Sequence, residues 1–192
     1  LYIEEKEILF SGDHILFDIT PNISVWRNVP FSLADYLESL QKIKYLKVSH
    51  TFPGHREFHG DIQDRIDALT LHDHARLKEI LDAIDHHPDC TAYETAGRIS
   101  WSARGRAWED FSPNQKWFAM GETLAHIKRL SDRGAISSTR PLSLNTPNNT
   151  LNIPTAKTAE NRYRALCHSS DLFFYSQRFS DDDFCEHITH YA

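Results

Sequence analysis

Two short apolar runs, each ending on a glycine turn and separated by one amphipathic helical pattern, constrain this chain most. Glu7-Ile8-Leu9-Phe10 runs into Ser11-Gly12-Asp13, and Val48 to Phe52 runs into Pro53-Gly54-His55. Short apolar runs bounded by Gly and Pro read as strands followed by turns. Between them Leu33, Tyr36, Leu37 and Leu40, with Ile43 beyond, recur at helical spacing along one stripe, and Ser32 stands where an N-cap belongs. Ile15-Leu16-Phe17 resumes the apolar pattern after the first turn, until Thr20-Pro21-Asn22 breaks it. Strand, helix and strand over 1–60 predict an α/β arrangement.

The rest of the patterned chain reads as helical. One helix is expected from Asp61 to His86, with a first stripe at Ile62, Ile66 and Leu69 and a second at Leu77, Ile80, Leu81 and Ile84. Leu71 to His74 interrupts that stripe, which predicts a kink or a change of face, and Pro88 closes the segment. Thr91 opens a short helix to Ile99, with Glu94 completing a capping box. Trp101 to Asp110 reads as a polar loop. Ser112-Pro113 then starts a helix whose stripe is Trp117, Met120, Leu124, Ile127 and Leu130, and Gly134 ends it. This succession predicts a helix-turn-helix or winged-helix-like domain over 71–137, after an α/β portion at 1–70. Residues 138–192 read as an irregular tail, partly ordered or unrelated to what precedes it. Ser137 to Thr158 is rich in Ser, Thr, Asn and Pro and lacks periodicity.

Composition narrows the function classes. The 192 residues suit one or two domains, and 21 basic against 27 acidic side chains leave a net charge of −6. An acidic balance argues against a chain that wraps nucleic acid or coats an anionic membrane. No apolar run approaches the ~20 residues of a membrane span, and the first residues lack the pattern of a signal peptide. Leu1 in place of an initiator Met leads to the expectation that the chain begins partway through a longer product. Cys90, Cys167 and Cys185 form no C-x-x-C, so a disulfide framework is not expected and a reducing cytoplasm is. Twelve histidines make metal chemistry worth testing, and they also guarantee chance pairs.

The candidate chemistry lies at the two turns. Asp13 and His55 each follow a strand on a glycine turn, and carboxylate and imidazole both suit Zn²⁺ and similar ions. Either motif alone is equally ordinary turn chemistry. Their order, around the helix that carries Asp35-Tyr36-Leu37-Glu38-Ser39-Leu40, resembles the metallo-β-lactamase superfamily, within it the branch whose hydrolase domain precedes a winged-helix domain. His74-Ala75-Arg76-Leu77-Lys78-Glu79-Ile80-Leu81, Thr91-Ala92-Tyr93-Glu94 and Gly121-Glu122-Thr123-Leu124-Ala125-His126-Ile127 extend the resemblance over roughly 1–137. The fold it implies is the C-terminal part of an αββα sandwich followed by a small helical winged-helix-like domain.

The resemblance also implies a role for each ligand. Asp13 matches the carboxylate that bridges two metal ions, and His55 matches a terminal ligand. The implied activity is two-zinc hydrolysis of an ester, a thioester or RNA. The family's His-x-His-x-Asp-His cluster lies upstream of the Asp, and nothing before Asp13 matches it. Two ligands do not make a dinuclear site, so weak zinc binding and little hydrolysis are expected of this chain as given.

Other candidates carry competing readings. His72-Asp73-His74 imitates the cluster but is expected to be a solvated helix face. His14 is expected to point away from Asp13 and to be structural. Trp26 and Arg27 are placed either at a substrate mouth or in the scaffold. Arg104, Arg106, Lys128 and Arg129 are candidates for phosphate contact, against the alternative of a domain that only shapes access to the site. Cys167, His168, Cys185, His187 and His190 read as chance clustering. Half a sandwich would also expose one sheet face, from which self-association is expected.

Overall fold

The computed structural model describes residues 1–26, 28–102, 105–138 and 151–152. Strand β1 (Tyr2–Ile3) pairs antiparallel with β2 (Ile8–Gly12), which pairs parallel with β3 (His50–Pro53), in the order β1-β2-β3. Parallel neighbours require a crossover, and helix α1 (Ser32–Lys44) provides it. Ser32 lies inside α1 rather than capping it: Phe31 is the N-cap and no side chain satisfies the helix start. Ile15, Leu16 and Phe17 form no strand, yet all three are buried.

Side-chain alternation gives the sheet two unlike faces. Leu9 and Thr51 point into the core. Phe10 and Phe52 point outward and stack on each other, ring centroids 5.1 Å apart at an interplanar angle of 20°. The inner face joins the buried stripe of α1, Leu33, Tyr36, Leu37 and Leu40.

Helix α2 (Ile62–His86) runs unbroken through the expected interruption and across residue 70. Asp61 caps it, accepting from the Gln63 and Asp64 N–H groups at 2.8 and 3.1 Å. The short α3 (Ala92–Ala96) begins with the Thr91–Glu94 capping box, and α4 (Pro113–Asp132) with a Ser112–Gln115 box. A two-stranded antiparallel pair follows, β4 (Ser137–Ser138) with β5 (Leu151–Asn152). Leu9 of the sheet, Leu37 of α1, Ile80 of α2 and Leu124 of α4 belong to one hydrophobic cluster. Among the described residues no helix is long and apolar enough to cross a membrane.

Candidate functional site

Parallel pairing brings the ends of β2 and β3 side by side, and both glycine turns leave the sheet there. The register shifts between Phe10 and Gly12, so Gly12 pairs with Pro53. The Gly54 N–H then donates to the Gly12 carbonyl at 2.8 Å. Gly12 sits at φ +56°, a left-handed conformation that glycine adopts without steric cost. A Cβ on Gly54 would lie 3.0 Å from the Gly12 carbonyl carbon and would collide with the Asp13 carboxylate. The missing side chain therefore lets the two turns close up. Asp13 Oδ1 comes to 3.3 Å from His55 Nε2, and both side chains are 66% exposed.

The groups around this pair hold it in place. His14 faces inward: its Nε2 lies 2.9 Å from Ser39 Oγ and its ring meets Tyr36 edge-on. Burial lowers its pKa below the ordinary 6.5. The loop after Asp13 is fastened by Arg65, which donates to the Leu16 carbonyl at 2.6 Å and the Ile19 carbonyl at 2.9 Å. A second aspartate–histidine pair, Asp18 Oδ1 and His59 Nε2 at 2.8 Å, ties the same two loops further out. Neither Arg65 nor this second pair was singled out in the sequence. The available signal was that each member follows its counterpart, Asp13 or His55, by four or five residues.

Carboxylate and imidazole at the ends of adjacent strands fit part of a zinc site. Among the described residues no group of three or more His, Cys, Asp or Glu gathers to hold an ion. The donors present therefore fit one portion of a ligand set and not a whole one.

His72-Asp73-His74 corrects the expectation of a solvated face. Asp73 and His74 are buried at 6% exposure each, and His72 is half-buried. The reason is that α2 packs against both α1 and α4, so its polar face is covered too. Asp73 Oδ1 lies 3.5 Å from His126 Nε2 of α4. The ring Nδ1 atoms of His74 and His126 lie 2.8 and 2.9 Å from the backbone carbonyls of Thr70 and Glu122, one turn back. Beside them Arg76, 8% exposed, reaches Glu79 and the Ser100 carbonyl, each at 2.6 Å, and lies 4.7 Å from the centroid of the Trp101 ring.

The remaining candidates are dispersed. Arg106 is exposed on the loop before α4. Lys128 pairs with Asp132 and lies over the Phe31 ring, while Arg129, next to it on α4, is half-buried. Trp26 is exposed and bridges Val29. Arg27, Arg104, Cys167, His168, Cys185, His187 and His190 lie outside the described residues.

Two solved structures are similar to this chain in fold. A metallo-β-lactamase family protein from Thermus thermophilus matches with a TM-score of 0.64 and 27% identity, over 80% of this chain and 44% of that one. A β-lactamase domain protein from Burkholderia ambifaria matches with a TM-score of 0.67 and 28% identity, over 80% of this chain and 43% of that one. The chain is related to the metallo-β-lactamase family. A β-lactamase-like protein 2 homolog from Caenorhabditis elegans is 31% identical over 108 residues, which are 54% of this chain and 34% of that protein. The chain thus spans about a third of this relative's length and less than half of either solved structure. No protein-family model matches it.

Proposed function

We propose that this chain carries part of the ligand set of a zinc-dependent hydrolase, in which the Asp13 carboxylate and the His55 imidazole would help to hold the metal. The observation behind this reading is the approach of Asp13 and His55 to 3.3 Å at the ends of two parallel strands. The remaining donors are assigned to the part of the fold that the longer relatives possess and this match does not span. When bound, zinc supplies a hydroxide nucleophile at neutral pH and stabilises the charge that develops on an ester, thioester or phosphodiester. The chain's own contribution is positioning. Gly54 makes room for the Asp13 carboxylate, and Arg65 holds the loop behind it.

Zinc titration tests the reading in two parts. The chain alone is expected to bind zinc weakly and to hydrolyse little; stoichiometric uptake of two ions at micromolar affinity would overturn this. Supplying the unmatched portion of the C. elegans relative, in trans or fused, is expected to restore zinc binding and ester hydrolysis. Asp13→Ala should then abolish both.

The helical part supports a second, subordinate reading. Helix α3, helix α4 and the β4–β5 pair follow in the order of a winged-helix unit, and its proposed role is to pack beside the hydrolytic site and shape access. The alternative is a module that binds nucleic acid or protein. It requires salt-dependent binding of single-stranded RNA that disappears on charge reversal of Arg104 and Arg106.

A further inference from the structure

The two loops that carry Asp13 and His55 are held in very different ways. The loop after β2 is built into the fold. The His14 N–H donates to the Ser11 carbonyl at 3.1 Å, and Ser11 Oγ donates to the Ile15 carbonyl at 2.9 Å. Ile15, Leu16 and Phe17 are buried, and Arg65 donates to the carbonyls of Leu16 and Ile19, on either side of Asp18. The loop after β3 has no such support. Residues 55–60 are all exposed and make no backbone–backbone hydrogen bond among the described residues. Exposed backbone without such bonds opens at low cost, so the order of this loop depends on its side chains.

Those side chains reach the first loop at the far end. His59 Nε2 lies 2.8 Å from Asp18 Oδ1. The buried Phe17 ring is met edge-on by Phe58 at 5.0 Å and by the His59 ring at 5.7 Å. At the near end, the Gly54 N–H donates to the Gly12 carbonyl. His55 therefore sits between a backbone clasp at Gly54 and a side-chain clasp at His59. Without the second clasp, residues 55–60 are a tether that spans up to about 20 Å when extended. Metal–ligand distances tolerate only about 0.2 Å, and a loop ordered in advance does not have its ordering charged against binding.

Resting on the zinc reading, we propose that Asp18 and His59 are positioning residues for the metal ligands. Asp18, on the fixed loop, holds His59, and His59 keeps the His55 loop at the spacing at which Asp13 and His55 share an ion. Asp18 also favours the charge on the Arg65 guanidinium, so His59 is the cleaner place to break the clasp.

NMR relaxation of the metal-free 192-residue chain reads the loop directly. The amides of Arg56, Glu57 and Phe58 are expected near the order parameter of rigid backbone, about 0.85, and His59→Ala should drop them below about 0.6. Asp18→Ala should do the same. Asp18→Asn keeps an acceptor for the His59 ring N–H and should restore the ordered values. Melting temperature should change little in all three variants, because the pair is exposed. In the chain completed with the unmatched portion of the C. elegans relative, His59→Ala should weaken zinc binding by up to about fivefold, equivalent to about 1 kcal/mol. Asp18→Asn should bind zinc as the unsubstituted assembly does. An ordered loop in His59→Ala, a flexible loop in the unsubstituted chain, a zinc affinity indifferent to loop order, or a general loss of stability in either alanine variant would overturn the proposal. Failure of the unsubstituted assembly to take up zinc would overturn the reading beneath it instead, and the relaxation data separate the two.

Discussion

Two aspartate–histidine pairs stand at opposite extremes in this molecule. Asp13 and His55 meet at the open end of the sheet with two-thirds of each side chain exposed. Asp73 and His126 meet between α2 and α4 with side-chain exposures of 8% and 1%. The residue types are the same and the separations are within a few tenths of an ångström, 3.3 against 3.5 Å. What differs is the surroundings. The outer pair is reachable by an ion or a substrate and contributes little to folding, as exposed ion pairs generally do. The inner pair is sealed by packing, and the two groups face each other at 3.5 Å away from water. Chemistry is therefore expected at the first and stability at the second.

The largest expected effect breaks the inner pair. Asp73→Ala leaves His126 buried without its carboxylate, and urea denaturation should show a loss of about 3–5 kcal/mol. The double variant Asp73→Leu with His126→Leu should lose less than the sum of the two single changes. Strict additivity would show that the pair is not coupled.

Next in size is the glycine that builds the outer pair. Gly54→Ala places a methyl group against the Asp13 carboxylate and the Gly12 carbonyl carbon. A loss of about 1–3 kcal/mol is expected by denaturation, as for other forced overpacking. Zinc binding in the completed assembly should fall with it. Unchanged stability and zinc affinity would mean that the two turns do not need this close approach.

Protonation sharpens the contrast further. Burial lowers the pKa of both His14 and His72 from 6.5. As pH falls past 6.5 the unfolded chain takes up protons that these rings in the folded chain resist, so the unfolded state binds more protons. The stability present above 6.5 is lost progressively as pH falls toward the folded-state values. Denaturation midpoints measured from about pH 8 to about pH 5 should decline, and His14→Gln with His72→Gln should flatten the slope. A rise in stability toward the acid end of that range would reverse the sign and refute the assignment.

The smallest effect belongs to the outer pair itself. Asp13→Ala or His55→Ala should shift stability by no more than about 0.5 kcal/mol, as for other exposed positions. A loss of several kcal/mol in either variant would place the pair among the structural elements and remove the basis for a metal role.

Legibility in the sequence followed the range of the interaction. Thr91 with Glu94, Ser112 with Pro113, and Asp61 at the head of α2 mark helix starts through contacts two to three residues away, and each was readable in advance or nearly so. Ser32 misled because Phe31 takes the cap position and no side chain serves there. The strand–glycine–ligand motifs of Asp13 and His55 were also legible, since each is a local pattern. Their meeting depends on the pairing of residues about forty positions apart, and the register shift at Gly12 sets it.

The sequence by itself determined where the chain turns and caps, which stripes of α1, α2 and α4 are apolar, and which two loops carry an aspartate and a histidine. Periodicity and turn chemistry act over a few residues and need no partner. Only the tertiary structure decided which polar residues are buried. His72-Asp73-His74 looks like a solvated face until α1 and α4 cover α2 on both sides. The loop after Thr20 likewise meets α4 through Asn22, whose side-chain amide donates to the Phe118 carbonyl and to Glu122, about a hundred residues away. Burial depends on packing between distant segments, and one segment's pattern records only its own half of that contact.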